Sequence, residues 1–172
     1  VYACGDVTGL MPFTHVAEQQ AGVVIANICF RIPKRMDYRV IPAVVYTEPE
    51  CAQVGMTTAE AEHDASASVV QFDMQELDRA IVDANTQGFL KLVVRKGRLA
   101  GAHAIGHRAG EIIHELALAI QENMKLSKIT TLVHAYPAYS QINRRAAGQY
   151  YRDSLFSAKT RKLVQLLNRW LP

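Results

Sequence analysis

The stretch "GFLKLVVRKGRLAGAHAIG", residues 88–106, constrains the fold more than any other. Its side chains alternate with a period of two on either side of Lys96-Gly97, a pair suited to a tight hairpin turn. A hairpin with one apolar face is marginal by itself and has to cover that face. The next segment can cover it. "AGEIIHELALAIQENM" repeats apolar residues at helical spacing, with Ile112, Leu116, Ala119 and Ile120 on one side. An antiparallel pair followed at once by an amphipathic helix predicts an α+β fold, an antiparallel sheet with helices packed on it.

The flanking segments extend that layer. "PAVVYT" and "CAQVGMT" read as strands around the turn "EPE", and "SASVVQFDM" reads as another. Thr57 or Thr58 is placed to cap a short helix through Glu62, and Ser127 one through Leu132. "DRAIVDANTQG" reads as irregular, and "AYSQINRRAAGQYY" and "AKTRKLVQLLNRWL" as terminal helices. The first residues have a different texture. "VYACGD" reads as a buried strand ending in an acid, and Thr14 as the cap of a helix striped by Ala17, Ala21, Val24, Ile25 and Ile28 and stopped by Pro33. A chain that opens on such a strand suggests part of something longer. The charged stretch "RIPKRMDYR" separates the two textures, so residues 1–35 form one unit and residues 40–172 another.

Composition narrows the function classes. Hydrophobic residues at 49% and charged residues at 20% fit an ordinary soluble globular protein. A net charge of +3 is too small to imply a nucleic-acid partner, and the basic "NRR" and "KTRK" read as solvated helix faces. Apolar runs such as "VVIANICF" fall short of the ~20 residues that span a bilayer, so no membrane partner is expected. Cys4, Cys29 and Cys51 form neither CxxC nor CxxxxC, and an odd count points to a reducing cytoplasm. His103, His107 and His114 lack metal-ligand spacing, so no metal site is expected.

Two places carry residues suited to chemistry. Gly5-Asp6 puts a carboxylate at the end of a strand, able to accept hydroxyls or to cap its own turn. The helix start at Thr14-His15 offers N–H groups and a positive dipole end, as every helix start does. The loop "HAYPAYSQ" holds the second set. His134 is of the residue type best suited to moving protons near neutral pH. Tyr136 and Tyr139 carry phenols with a reference pKa of about 10, which donate a proton more readily than they accept one. Gln141 cannot hold charge, and Pro137 allows a cis peptide after Tyr136. On composition the loop reads as a packed turn first and an altered acid/base site second.

Together these stretches resemble the C-terminal part of the pyridine nucleotide–disulfide oxidoreductases, the family of lipoamide dehydrogenase, glutathione reductase and mercuric reductase. "VYACGDVTG" is similar to the family's second flavin motif and "YTEPECAQVGMT" to its TxPExAxVGxT segment. "GFLKLVV…LAGAHAIGHRAGEIIHELALAI" resembles the sheet and long helix of its dimerisation domain, and "HAYPAYSQ" falls where lipoamide dehydrogenase has HAHPTLSE. The resemblance implies that residues 1–35 are the end of an FAD-binding domain. Gly5 and Asp6 would lie at the ribitol chain, and Thr14-His15 at the pyrimidine edge of the flavin. Residues 40–172 would form a homodimer in which the loop completes the partner's active site. It further implies NAD(P)H as co-substrate, with the GxGxxG loop, the redox CxxxxC and the nicotinamide domain lying before Val1.

The family's acid/base histidine and its orienting glutamate correspond to Tyr136 and Gln141, and His134 matches the extra, non-catalytic histidine. Both catalytic positions depart together, which puts reduction of a thiol-type substrate in doubt. Mercuric reductases also lack this histidine and place a tyrosine nearby, but they carry a C-terminal cysteine pair that "NRWLP" does not have. The expectation is the dimerisation portion of a mercuric-reductase-like or otherwise uncharacterised flavoprotein reductase, ranked above a true lipoamide dehydrogenase. The alternative is a self-associating module that has lost its chemistry. The fragment alone would be inactive.

Overall fold

The computed structural model describes residues 1–169. Its centre is an antiparallel sheet of five strands: β1 (Ala43–Val45), β2 (Glu50–Gly55), β3 (Ala67–Asp73), β4 (Gly88–Arg95) and β5 (Arg98–Gly106). Their order is β1-β2-β5-β4-β3, so β5 is hydrogen-bonded on both edges. The hairpin turns at Lys96-Gly97, where both residues have positive φ, 50° and 73°. Two successive positive φ values match the right-handed twist of the strands they join.

One sheet face carries the core. Ala52, Val54, Phe72, Leu90, Leu92, Val94, Ala102 and Ala104 are all buried. Helix α4 (Ala109–Gln121) buries Ile112, Ile113 and Leu116 in the same cluster, each contributing roughly 1.5–3 kcal/mol. Helix α6 (Gln141–Leu155) adds Ile142, Ala146 and Ala147, and the short α5 (Leu126–Thr131) adds Leu126 and Ile129. Small side chains on β5, Ala102 and Ala104, leave room for α4 to lie close to the sheet. The predicted α+β layer is therefore the observed one.

The strands also come together where only glycine fits. A Cβ on Gly101 would lie 1.9 Å from the Met56 carbonyl oxygen, and one on Gly88 would lie 1.9 Å from that of Ile105. Ala100 is left unpaired between Val94↔Leu99 and Val93↔Gly101, a bulge whose carbonyl accepts the Met56 N–H at 2.9 Å. The glycine and the bulge together keep β2 and the turn after it against β5.

Several local expectations need correction. "VYACGD" forms no strand: Val1 and Tyr2 are exposed, and Asp6–Thr8 is a single 3-10 turn. A strand exists only through pairing, and none of the described strands lies beside it. Helix α1 (Thr14–Cys29) is capped by Phe13 in extended conformation, with Thr14 already inside the helix. Its buried residues are Val16, Gln20 and Ala26, while Ile25 and Ile28 of the expected stripe face solvent, because none of the described residues covers that side. The cap of α5 is Lys125 rather than Ser127. Part of the stretch read as irregular is α3 (Asp78–Val82).

One expectation held in detail: Thr57 caps α2 (Thr58–Glu62) through a reciprocal capping box with Glu60. Of the terminal helix expected over residues 158–171, α7 occupies Ala158–Leu167, capped by Ser157, and residues 170 and 171 lie outside the described residues. Among the described residues no helix is long and apolar enough to cross a membrane.

Glycine positions give a paired test. Gly101→Ala should cost about 3 kcal/mol or more in denaturant unfolding, because backbone has to move. Gly148→Ala, in helix α6 with open space around it, should stabilise by roughly 0.5–1 kcal/mol.

Candidate functional site

The loop of residues 132–140 joins α5 to α6 and is held at three points. The first is His134. Its Nε2 donates to Glu115 Oε2 at 3.0 Å, and its Nδ1 lies 3.3 Å from the Leu132 carbonyl. The His134 side chain is only 5% exposed. Asn143, fully buried on α6, donates from Nδ2 to the same Glu115 oxygen at 3.0 Å and to the Ile112 carbonyl at 3.2 Å. One carboxylate on α4 thus ties the loop to both helices.

The second point is Tyr139. Its ring is buried, and its hydroxyl donates to Asp83 Oδ2 at 3.0 Å. Arg79 Nε donates to that same oxygen at 2.8 Å. The guanidinium carbons of Arg79 and Arg108 lie 6.0 and 5.9 Å from the ring centre, at the outer edge of cation–π range. Burial, and then Asp83, holds the Tyr139 phenol above its ordinary pKa. Arg79, and then Tyr139, holds the Asp83 carboxyl below its own. Each side of this contact therefore favours the protonation state it has at neutral pH.

The third point is Gln141, buried at the start of α6, whose Oε1 accepts the Ala138 N–H at 3.3 Å. Tyr136 sits between these anchors, before a cis peptide to Pro137, and its side chain is 71% exposed. Among the described residues no hydrogen bond joins Tyr136 to Gln141. The loop brings the four named residues together but assigns them different tasks. His134, Tyr139 and Gln141 face inward and hold the loop, and Tyr136 faces out. Beside it Arg79, Arg108, Glu111, Pro137, Tyr139 and Ser140 line a cleft of about 330 Å³.

The second set lies near the chain start. Gly5 has φ 80°, a value that suits glycine, and donates its N–H to Gln20 Oε1 at 2.6 Å. Gln20 Nε2 donates in turn to the Tyr38 hydroxyl at 3.0 Å. Asp6 is exposed at the start of the 3-10 turn. No side chain caps α1, so the first helical N–H groups near Thr14 and His15 have no side-chain acceptor. The His15 Nε2 donates to the Pro42 carbonyl at 2.9 Å, tying α1 to the residue just before β1. An exposed carboxylate and an uncapped helix start are suited to hydroxyls and to an electron-rich ring edge, so these residues fit one part of a flavin site.

Sequence reasoning missed Glu115, Asn143, Asp83, Gln20 and Glu50. A signal was present for the first two. Glu115 lies three residues after Ile112, and Asn143 directly after Ile142, so each puts a polar group beside the buried helix face. Glu50 accounts for the "TEPE" motif. Its Oε2 accepts the Gly110 N–H at 2.9 Å, capping α4 from the sheet where the helix dipole favours negative charge. His103 lies on β5 and is bonded to the Met56 carbonyl, and His107 stacks at a tilt on Tyr139. Among the described residues no group of three His, Cys, Asp or Glu side chains converges.

Residues 41–147 match the family model described as pyridine nucleotide-disulphide oxidoreductase, dimerisation domain. The chain belongs to the pyridine nucleotide-disulphide oxidoreductase family. Within that family it is similar to the dihydrolipoyl dehydrogenase of Bacillus subtilis, 37% identical over 150 residues, covering 86% of this chain and 32% of that protein. The Synechocystis dihydrolipoyl dehydrogenase is 36% identical over 149 residues, covering 83% and 31%. Among solved structures, LpdA of Mycobacterium tuberculosis superposes with a TM-score of 0.82 at 26% identity, covering 87% of this chain and 33% of that one. The flavoprotein disulfide reductase RclA of Escherichia coli, at TM-score 0.80 and 24% identity over 86% of this chain and 35% of that one, shares the fold. The chain spans about a third of the length of these oxidoreductases.

Two substitutions probe the anchors. Tyr139→Phe should cost about 1 kcal/mol at neutral pH by denaturant unfolding. Asp83 has a lowered folded pKa, so its share is lost as pH falls through that value. Tyr139 has a raised folded pKa, so its share is lost as pH rises past about 10. The gap between wild type and variant should therefore be widest in between. Glu115→Ala should cost roughly 1–3 kcal/mol by leaving His134 Nε2 without its acceptor and Asn143 with the Ile112 carbonyl alone, and hydrogen exchange should accelerate across residues 132–140.

Proposed function

We propose that this chain is the dimerisation portion of an FAD-dependent NAD(P)H oxidoreductase in which Tyr136 and Gln141 stand in place of a histidine–glutamate acid/base pair. Residues 1–35 are read as the end of the FAD-binding domain and residues 40–172 as the homodimer-forming domain. The observation that carries this reading is the loop geometry. Three inward anchors hold a backbone that presents one phenol, Tyr136, to the outside. A loop built only as a turn has no need of three anchors around one exposed aromatic side chain.

In this reading Asp6 accepts hydroxyls of the ribitol chain, Gly5 lets the backbone turn beside it, and the Thr14-His15 end of α1 faces the ring edge. Bound flavin supplies two-electron transfer between the nicotinamide and the acceptor. Tyr136, reaching the partner's site, donates a proton from its hydroxyl rather than accepting one, since a phenol is neutral at pH 7. Gln141 does not orient it, because its carbonyl oxygen is committed to the Ala138 N–H. His134 is a positioning residue, bonded to Glu115 and turned away from the outside. A soluble, cytoplasmic homodimer is part of the proposal.

One observation favours a second reading, a self-associating module without acid/base chemistry. Tyr136 has no hydrogen-bond partner that would tune it among the described residues. Tyr136→Phe in the full-length oxidoreductase decides between them. Loss of roughly 10²-fold or more in kcat with the dimer intact supports the proton-donor role. Unchanged kcat supports the module. Joint replacement by Tyr136→His and Gln141→Glu should raise turnover of a dithiol substrate if the ancestral pair is all that is lacking.

A further inference from the structure

Helix α7 does not serve the fold described above. None of its residues, Ala158–Leu167, is buried. Yet it is strongly two-faced. At 100° per residue Leu163, Val164, Leu166 and Leu167 fall within one arc, which the first turn shares with Lys159 and Thr160, and Arg161, Lys162 and Gln165 fall opposite. The apolar arc is open to solvent: Leu163 is 55% exposed and Leu166 54%. Leu155 and Phe156, at the corner with α6, extend the apolar surface at 60% and 66% exposure. The helix has its own start, since Ser157 Oγ accepts the Thr160 N–H at 3.2 Å, so its pattern does not depend on packing against the core.

Charge selects the occupant. Residues 155–169 contain Lys159, Arg161, Lys162 and Arg169 and no acid. A second copy on the same face would bury Lys159, which lies in that arc, with no acid of residues 155–169 to pair it. An anionic surface complements the helix, and a flat one suits a short helix with an apolar arc on one side and long cationic side chains that reach back to the headgroups. We infer that α7 is an interfacial helix that lays its leucines into the headgroup boundary of an anionic lipid bilayer while its lysines and arginines meet the phosphates. This is attachment to a membrane surface without crossing. It replaces the reading of "KTRK" as a solvated face only, and the expectation of no membrane partner. One short helix gives reversible binding that weakens with salt, because its electrostatic part is screened over ~8 Å at physiological ionic strength.

The test uses the intact chain, whose one tryptophan, Trp170, follows α7 in the sequence and reports on its surroundings. Vesicles of phosphatidylglycerol with phosphatidylcholine should co-sediment the protein and shift Trp170 emission to the blue, and phosphatidylcholine alone should do neither. High salt should release it. Leu163→Ser with Leu167→Ser should lower vesicle affinity by about tenfold or more and leave the thermal midpoint unchanged, since neither side chain is buried. Lys159→Glu with Lys162→Glu should abolish the preference for anionic lipid. The inference is overturned by absence of vesicle binding, by equal binding to neutral vesicles, or by a double serine variant that binds as before. It is likewise overturned if that variant changes the oligomeric state in lipid-free solution, which would assign the leucines to a second copy.

Discussion

The structure depends on how closely three backbones meet along β5. That strand is paired on both edges, and at Gly101 against Met56, and at Gly88 against Ile105, two segments come so near that a single methyl group on the glycine would collide with a carbonyl oxygen. The inner side chains of β5 are small for a related reason. Ala102 and Ala104 let α4 settle near the sheet, and the larger Ile112, Ile113 and Leu116 of the helix then fill the layer. Small residues on the strand and large ones on the helix are two halves of one packing solution.

Helix α4 then connects the sheet to the loop. At its first turn it is capped from β2 by Glu50. Near its middle it offers Glu115, which fixes His134 and Asn143 together. The loop is thus referenced to the sheet through one rigid helix, and its far end is referenced to α3 through Asp83 and Tyr139. Under the proposed function the loop complements a partner subunit, and such a site has to be placed by its own scaffold before the partner arrives. This loop meets that requirement, and the histidine that most resembles a catalytic residue by type is one of the parts that place it.

The proposed departure from a histidine–glutamate pair has a physical counterpart in the loop. Tyrosine and glutamine do not form a neutral hydrogen-bonded pair here. Gln141 caps the turn of its own loop, and Tyr136 is left to solvent. Among the described residues Tyr136 has no hydrogen-bond partner, so whatever it does it does with groups beyond these. The same holds at the other end of the molecule, where α1 exposes Ile25 and Ile28, and at α7, where an apolar arc faces solvent.

The sequence by itself determined the layer architecture. Period-two alternation in "GFLKLVVRKGRLAGAHAIG" and helical spacing in "AGEIIHELALAI" are local consequences of how side chains leave a strand or a helix, so both can be read without the fold. The capping box at Thr57 is local in the same sense. The direction of each side chain in "HAYPAYSQ" was decided only by the tertiary structure. His134 turns inward because Glu115 lies 19 positions earlier on a packed helix, and Tyr139 because Asp83 lies 56 positions earlier. "VYACGD" went unpaired for the complementary reason: its pattern describes a strand, but a strand forms only where another lies alongside it. Residue type and spacing state what a segment can do, and long-range contact selects which of those capacities is used.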